Sequence, residues 1–332
     1  MNSFGNKFKV TILGESHGPL TGIVIDGVKP GMKLRALDFA KDLRRRRDGD
    51  IASLAKCTSA RKEKDIPQIV SGLYKGYTTG APLTIVFANE DTRSEDYAEF
   101  RTLPRPSHAD FAADRKYEGF NDIRGGGMFS GRMTLPLVAA GTVARKMLAQ
   151  ALPAIRISAR IKSIGGSSET RLWSSIIEAA AANQDSVGGC IECTASGIPV
   201  GVGEPFFDSL ESQIAHLAFS VPGVKAISFG DGAECGAMYG SDFNDHLVDT
   251  DGQTDTNHNG GINGGITNGN PIVFQVQIRP TASISQPQAT INLSNGQPAE
   301  ISIRGRHDTC ITLRCPVIIE SVAAIALADL LS

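Results

Sequence analysis

Long apolar runs are missing from this sequence. None approaches the roughly 20 residues that a membrane-spanning helix needs, and Met1 to Lys9 lack the hydrophobic region of a secretory signal, so a cytoplasmic location is expected. A charge excess of one sign is missing too. With 33 basic against 35 acidic side chains the net charge is −2, which gives no overall drive towards nucleic acid or an anionic membrane, so any anion site must be local. Cysteine is too sparse for a small disulfide framework, with six in 332 residues, four of them in two near pairs, Cys190/Cys193 and Cys310/Cys315. Gly189 to Cys193 reads as a strand, which sends residues three apart to opposite faces. The same parity holds for Cys310 and Cys315 if that run is extended, and no metal site is expected. There is also no Pro/Ser-rich hinge, so one composite domain over 1–332 is favoured over two independent ones.

What is present is an ordinary globular composition, 41% hydrophobic and 20% charged, with 36 glycines gathered in discrete loops such as Gly125-Gly126-Gly127 and Gly260-Gly261. An internal repeat is visible. Gly72-x-x-x-Gly76-x-Thr78-x-Gly80-x-Pro82 is echoed 189 residues later by Gly261-x-x-x-Gly265-x-Thr267-x-Gly269-x-Pro271, which divides the chain into halves of roughly 1–150 and 151–332. Each copy enters a β-rich run, 83–88 and 272–278, and follows a strand and an amphipathic helix, about 37–46 and 207–219. Two further helices, 135–152 and about 318–331, are apolar on most faces and so expected between layers. The fold class implied is α+β, a layered β-α-β sandwich with an internal pseudo-repeat.

Arginine is the first chemical clue. Arg44 to Arg47 end one predicted helix, and Arg61, Arg105, Arg124 and Arg132 follow; planar guanidinium forks suit phosphate and carboxylate, although a helix C-terminus also attracts cations as solvated charge. Two histidines stand in loops, in Gly14-Glu15-Ser16-His17-Gly18 after a strand and in Pro104-Arg105-Pro106-Ser107-His108-Ala109-Asp110, where either could serve as a general acid or as a hydrogen-bonded structural group. Arg124-Gly125-Gly126-Gly127-Met128-Phe129-Ser130-Gly131-Arg132 precedes a buried helix, so N–H groups, a hydroxyl and two guanidiniums could converge on a phosphate. It matches neither the P-loop nor the dinucleotide pattern. Arg306-His307-Asp308 sets a cation, an imidazole and a carboxylate side by side, with a salt-bridged turn as the alternative. Glu15 and Glu63 read as groups that orient arginines.

Taken together, GESHG at 14–18, PRPSHAD at 104–110, RGGGMFSGR at 124–132, RPTASI at 279–284 and GRHDTC at 305–310 resemble the chorismate synthase family in order and spacing over nearly the whole chain. The resemblance implies an anti-1,4-elimination of phosphate from 5-enolpyruvylshikimate 3-phosphate, with reduced FMN as a cofactor that undergoes no net redox change. It implies His17 as the acid near the departing phosphate, His108 as the group that protonates or polarises the flavin, and Asp308 as the base. By the same resemblance Ser16, Arg45, Arg105, Ser130, Arg132 and Arg306 contact substrate, Asn257, Arg279 and Ser283 contact flavin, and the assembly is a homotetramer.

The chain departs from the family pattern at Asp48, where proline is usual after the arginines, and at Asn259, where alanine is common; Arg279 often appears as lysine. Asp48 sets a carboxylate beside Arg44 to Arg47 and leaves the substrate-facing arginine open. No nicotinamide motif is evident, which leaves the flavin's reductant open between a nicotinamide cofactor such as NADPH used by the chain itself and a separate flavin reductase. Two rivals remain: a flavin-binding homologue that has lost catalysis, and a nucleic-acid binder built on Arg44 to Arg47. Intact His17, His108 and Asp308 disfavour the first, and the lack of aromatics interleaved with the arginines disfavours the second.

Overall fold

A computed structural model describes residues 2–51, 53–54, 63–90, 94–303 and 308–332. The chain opens with β1 (Ser3–Phe4), β2 (Lys9–Gly14), β3 (Leu20–Asp26) and α1 (Ala40–Asp48). Then come β4 (Gln68–Ser71), a short hairpin of β5 (Leu73–Tyr74) and β6 (Tyr77–Thr78), and β7 (Leu83–Ala88). α2 (Asp110–Lys116) precedes the long helix α3 (Thr134–Ala151). The second half runs β8 (Arg156–Ile164), α4 (Trp173–Ala182), β9 (Gly189–Ser196), α5 (Leu210–Ser220), β10 (Val224–Phe229) and α6 (Gly240–Phe243). A second hairpin, β11 (Ile262–Asn263) and β12 (Ile266–Thr267), leads to β13 (Ile272–Ile278), β14 (Gln288–Asn292), β15 (Gln297–Ile301) and α7 (Pro316–Leu331).

Among the described residues the two larger sheets, both antiparallel, are ordered β1-β2-β3-β7-β4 and β10-β13-β9-β8, and β14 pairs with β15 in a separate ribbon. Without β1, the first reads β2-β3-β7-β4 and the second, in the same sense, β8-β9-β13-β10. The hairpins are tied in by the same bonds. Thr78 Oγ1 donates to the Lys29 carbonyl at 2.7 Å and accepts from the Met32 N–H at 2.9 Å. Thr267 Oγ1 donates to the Pro199 carbonyl at 2.7 Å and accepts from the Val202 N–H at 2.8 Å. A threonine hydroxyl with one donor and two acceptor sites can satisfy both backbone groups of a neighbouring loop at once, which explains its place in both hairpins.

Strand alternation buries one face of each sheet: Leu83, Ile85 and Phe87 on β7, and Ile272, Phe274 and Val276 on β13. Against these faces lie α3, which packs on β3 and β7, and α7, which packs on β8 and β9; the two helices also pack on each other. α7 is buried from Pro316 to Asp329, as a helix apolar all round must be, and Pro316 occupies its first turn, where a missing N–H costs no helical bond. The run from Cys310 to Cys315 is not extended, as the parity argument required; Ile311–Arg314 form a 3-10 turn, and both thiols are buried and free. Among the described residues no His/Cys/Asp/Glu group could hold a metal ion, and no helix is long and apolar enough to cross a membrane.

The α3–α7 contact depends on Gly141. A Cβ added there would lie 2.2 Å from Ser321 Cβ, so the helices meet backbone to side chain with no spare room. Gly141→Ala is expected to lower stability by about 1–3 kcal/mol, the usual cost of overpacking. Ser321→Gly should restore part of it, and a thermal midpoint unmoved by Gly141→Ala would contradict this close approach. At the far end of α7, the buried Asp329 Oδ1 accepts the N–H groups of Asn6, Lys7 and Phe8 at 2.8, 2.6 and 2.7 Å. Asp329→Ala strands those donors and is expected to cost roughly 2–4 kcal/mol in denaturant unfolding.

Candidate active site

A cavity of about 290 Å³ is lined by the stretch before α2, the glycine-rich segment before α3, the residues after β13 and the turn that leads into α7, with the end of α1, Glu63, Asp65 and the loop between α5 and β10. Its floor is a buried ionic cluster. Arg105 donates from Nε to Asp110 Oδ2 and from Nη2 to Asp110 Oδ1, both at 2.7 Å, and from Nη1 to Ser283 Oγ at 3.1 Å. The guanidinium also stacks 4.3 Å from the Phe100 ring centroid. His108 Nδ1 lies 2.6 Å from Asp110 Oδ1 and 3.0 Å from Arg105 Nη2. An arginine can only donate, so a nitrogen that donates to the carboxylate cannot accept from Arg105. The shorter contact assigns the proton to Nδ1 and leaves Nε2 as the exchangeable position. Burial alone would raise the pKa of Asp110, but hydrogen bonds from Arg105 and His108 hold it well below the usual carboxylate range. His108 and Arg105 both line the cavity.

Beside the glycine-rich segment, Ser16 and His17 occupy the two central positions of a turn closed by the Gly18 N–H to the Glu15 carbonyl at 3.1 Å. Both are buried. They lie directly behind Gly125: a Cβ there would stand 2.4 Å from His17 Cδ2, 2.6 Å from Nε2 and 2.7 Å from Ser16 Oγ. With φ of +60° and no room for a methyl, position 125 requires glycine on two counts. His17 therefore approaches the cavity through a wall one glycine thick. Ser130 lines the cavity, and its Oγ caps the following turn by accepting from the Arg132 N–H at 3.2 Å.

Pairing separates the arginines. Arg45 is spent: its guanidinium is saturated by Asp50 at 2.5 and 2.9 Å and by the buried Glu320 at 2.6 and 2.8 Å, and it does not line the cavity. Its neighbours Arg46 and Arg47 do. Arg46 is held by Thr134 Oγ1 and the Gly131 carbonyl. Arg47 is engaged by Asp48 at 2.8 and 3.0 Å, so the unusual carboxylate pairs with the arginine before it. That hydrogen bond pulls Asp48 down in pKa against the effect of burial, with Arg314 and Arg44 adding to it. Arg132 gives Nη1 to Asp65 at 2.5 Å and Nε to Asn89 at 3.1 Å, while its buried Nη2 has no partner among the described residues.

Arg279 lacks a carboxylate partner among the described residues, and burial lowers its pKa. Arg314 reaches Asp308 Oδ2 at 3.3 Å, and its Nε is buried without a partner among the described residues, as is Asp308 Oδ1. Arg279, Ser283, Asp308 and Arg314 all line the cavity. The arrangement therefore offers guanidinium N–H groups for anions, an imidazole, and a carboxylate oxygen that lacks a donor.

Of the residues singled out in the sequence, the cavity brings together His108, Asp308, Arg105, Ser130, Arg132, Arg279 and Ser283, with Ser16 and His17 just behind its wall. Arg306 lies outside the described residues. Arg124 is exposed and paired with Asp122 at 2.7 Å, so one guanidinium of its loop faces inward rather than two. Glu63 lines the cavity and accepts from the Glu90 N–H. Asn257 donates to the Pro271 carbonyl at 2.8 Å, at the start of β13, whereas Arg279 follows its end; at about 3.3 Å per residue the seven-residue strand separates them by about 23 Å. Asn257 and the cavity thus do not meet within one chain. Sequence reasoning missed Asp65, Asn89 and Arg314, and no local pattern marks them.

A family model described as chorismate synthase matches residues 8–331. The chorismate synthase of Chitinophaga pinensis is 52% identical over 99% of this chain and 96% of its own length. That of Korarchaeum cryptofilum is 39% identical over 98% and 96%. A crystal structure of chorismate synthase superposes with a TM-score of 0.74 at 23% identity, over 99% of this chain and 92% of the other, which speaks to the fold alone. With a family model that spans the chain almost end to end and relatives this similar over their full length, the protein belongs to the chorismate synthase family.

Proposed function

We propose that the chain converts 5-enolpyruvylshikimate 3-phosphate to chorismate by anti-1,4-elimination of phosphate, as a carbon–oxygen lyase of aromatic biosynthesis in the cytoplasm. One observation carries this reading: a single cavity is lined by Arg132, Arg279 and Arg314 together with Asp308 and His108, and among the described residues Arg279 has no carboxylate partner. A substrate with two carboxylates and a phosphate needs that compensating charge in a site that excludes water.

The donor set suits reduced FMN. Arg279 and Ser283 would hold it, and Asp308 Oδ1, buried without a donor, suits an N–H edge. When bound, reduced FMN supplies electron density to the substrate and takes part in no net oxidation or reduction. Arg132 Nη2, Arg47 and Arg314 bind the substrate's anionic groups. His17 donates a proton from Nε2 to the departing phosphate as Gly125 yields. His108, held by Asp110 through Nδ1, presents Nε2 as the site that gains or gives a proton. Asp308 accepts a proton at Oδ1. Arg105, neutralised by Asp110, holds Ser283, and Asp110 orients His108.

We further propose one domain of two diverged copies, 1–150 and 151–332, in a β-α-β sandwich; the matching sheet orders and threonine bonds support it. A homotetramer accounts for the exposure of Phe206, Phe207 and Tyr239, and would set Asn257, which lies away from this chain's cavity, against a neighbouring subunit's flavin. The flavin's reductant is either a nicotinamide cofactor used by the chain itself or a separate flavin reductase.

Phosphate release should occur anaerobically with chemically reduced FMN and not with oxidised FMN; release with neither would contradict the reading. His17→Ala and His108→Ala should each cut kcat about 10²- to 10⁴-fold with unchanged circular dichroism. Gly125→Ala, which drives a methyl into His17, should approach the loss seen in His17→Ala, and wild-type turnover in it would remove His17 from the reaction.

A further inference from the structure

Asn89, directly after β7, connects the turn that carries His17 to Arg132, which lines the cavity. Its Nδ2 donates to the carbonyls of Glu15 at 3.0 Å and Gly18 at 2.9 Å, the first and last residues of the turn that carries Ser16 and His17. Its Oδ1 accepts from Arg132 Nε at 3.1 Å. Both amide donors and the amide acceptor are thus used, and the orientation is unique: a flipped amide would set NH₂ against a guanidinium and an oxygen against two carbonyls. The Asn89 N–H also donates to the Pro19 carbonyl at 3.2 Å, so the side chain is anchored at the same loop it clamps. Asp65 holds Arg132 from the other side.

We propose that Asn89 is a positioning residue which fixes the His17 turn relative to Arg132, so that the proton donor and the anion-binding guanidinium stand in one register. The inference rests on the elimination reading above. A histidine behind a glycine wall is useful only if its turn cannot drift. The Ser16 N–H to Gly127 carbonyl bond, at 3.3 Å, is longer than either bond from Asn89 to the turn, at 3.0 and 2.9 Å. Arg132 is restrained at Nε and Nη1 with Nη2 left over, so the same amide also sets the direction of the free N–H.

A double-mutant cycle tests this, with kcat and KM measured for the wild type, Asn89→Ala, His17→Ala and the double variant under reduced FMN. Asn89→Ala should lower kcat about 10- to 100-fold, the scale of a misplaced catalytic group, and raise KM through Arg132. In the His17→Ala background it should lower kcat less than about threefold, because non-additivity marks groups that act as a unit. Equal losses in the two backgrounds, or no loss at all, would overturn the proposal. Asn89→Asp keeps an acceptor for Arg132 and removes both donors to the turn, so it tests the clamp if the alanine variant does not fold; its kcat should fall similarly, and a wild-type kcat would overturn the proposal. An inactive wild type would instead overturn the elimination reading itself, and this inference with it.

Discussion

Neutralisation of buried guanidinium groups by carboxylates governs the rest of the structure. An arginine taken from water must find an acceptor or an anion, and in this chain acceptors are distributed unevenly. Asp50 and Glu320 consume Arg45, Asp110 consumes Arg105, and Asp65 takes half of Arg132. What is left over among the described residues, Arg279 without a carboxylate and the incompletely paired Arg132 and Arg314, lines one cavity. The anion site is therefore defined by subtraction. A chain of net charge −2 can carry it because the surplus is local.

The same principle links scaffold and site. Glu320 projects from the most buried helix, accepts the Ala159 N–H at 2.9 Å from the second sheet, and grips Arg45 of α1. That grip fixes the phase of α1, and successive helix residues turn by about 100°, so Arg46 and Arg47 are carried to the cavity while Arg45 points to the core. Asp48 then takes up Arg47 where the family's usual proline would leave it without that neighbouring carboxylate. An incoming anion must compete with Asp48 for this one arginine and with no carboxylate for Arg279.

Much of this was legible in the sequence where the partners are close in the chain or the pattern is periodic. The repeat that carries Thr78 and Thr267, the strands it enters, and the apolar helices α3 and α7 follow from spacing. The His108–Asp110 pair lies within the PRPSHAD segment that the sequence singles out, although the pairing itself is not read there. Arg45 could not be told from Arg46 or Arg47, because the choice depends on Glu320, 275 residues away. Asp65 and Asn89 act on Arg132 across 67 and 43 residues, and neither sits in a motif. For Cys310 and Cys315 the periodicity argument assumed an extended backbone that the chain does not adopt, since the Ile311–Arg314 turn is helical. Burial pushes the Cys315 thiol up to about 12, so it behaves as an apolar wall of the cavity.

The most direct test of this picture is a crystal structure of the chain with 5-enolpyruvylshikimate 3-phosphate and FMN bound. The account predicts substrate phosphate and carboxylates on Arg132 Nη2, Arg314 and Arg47, with Arg45 still on Glu320 and the flavin against Arg279 and Asp308. Anionic groups seated on Arg45 or Arg124, or ligands bound outside this cavity, would contradict it.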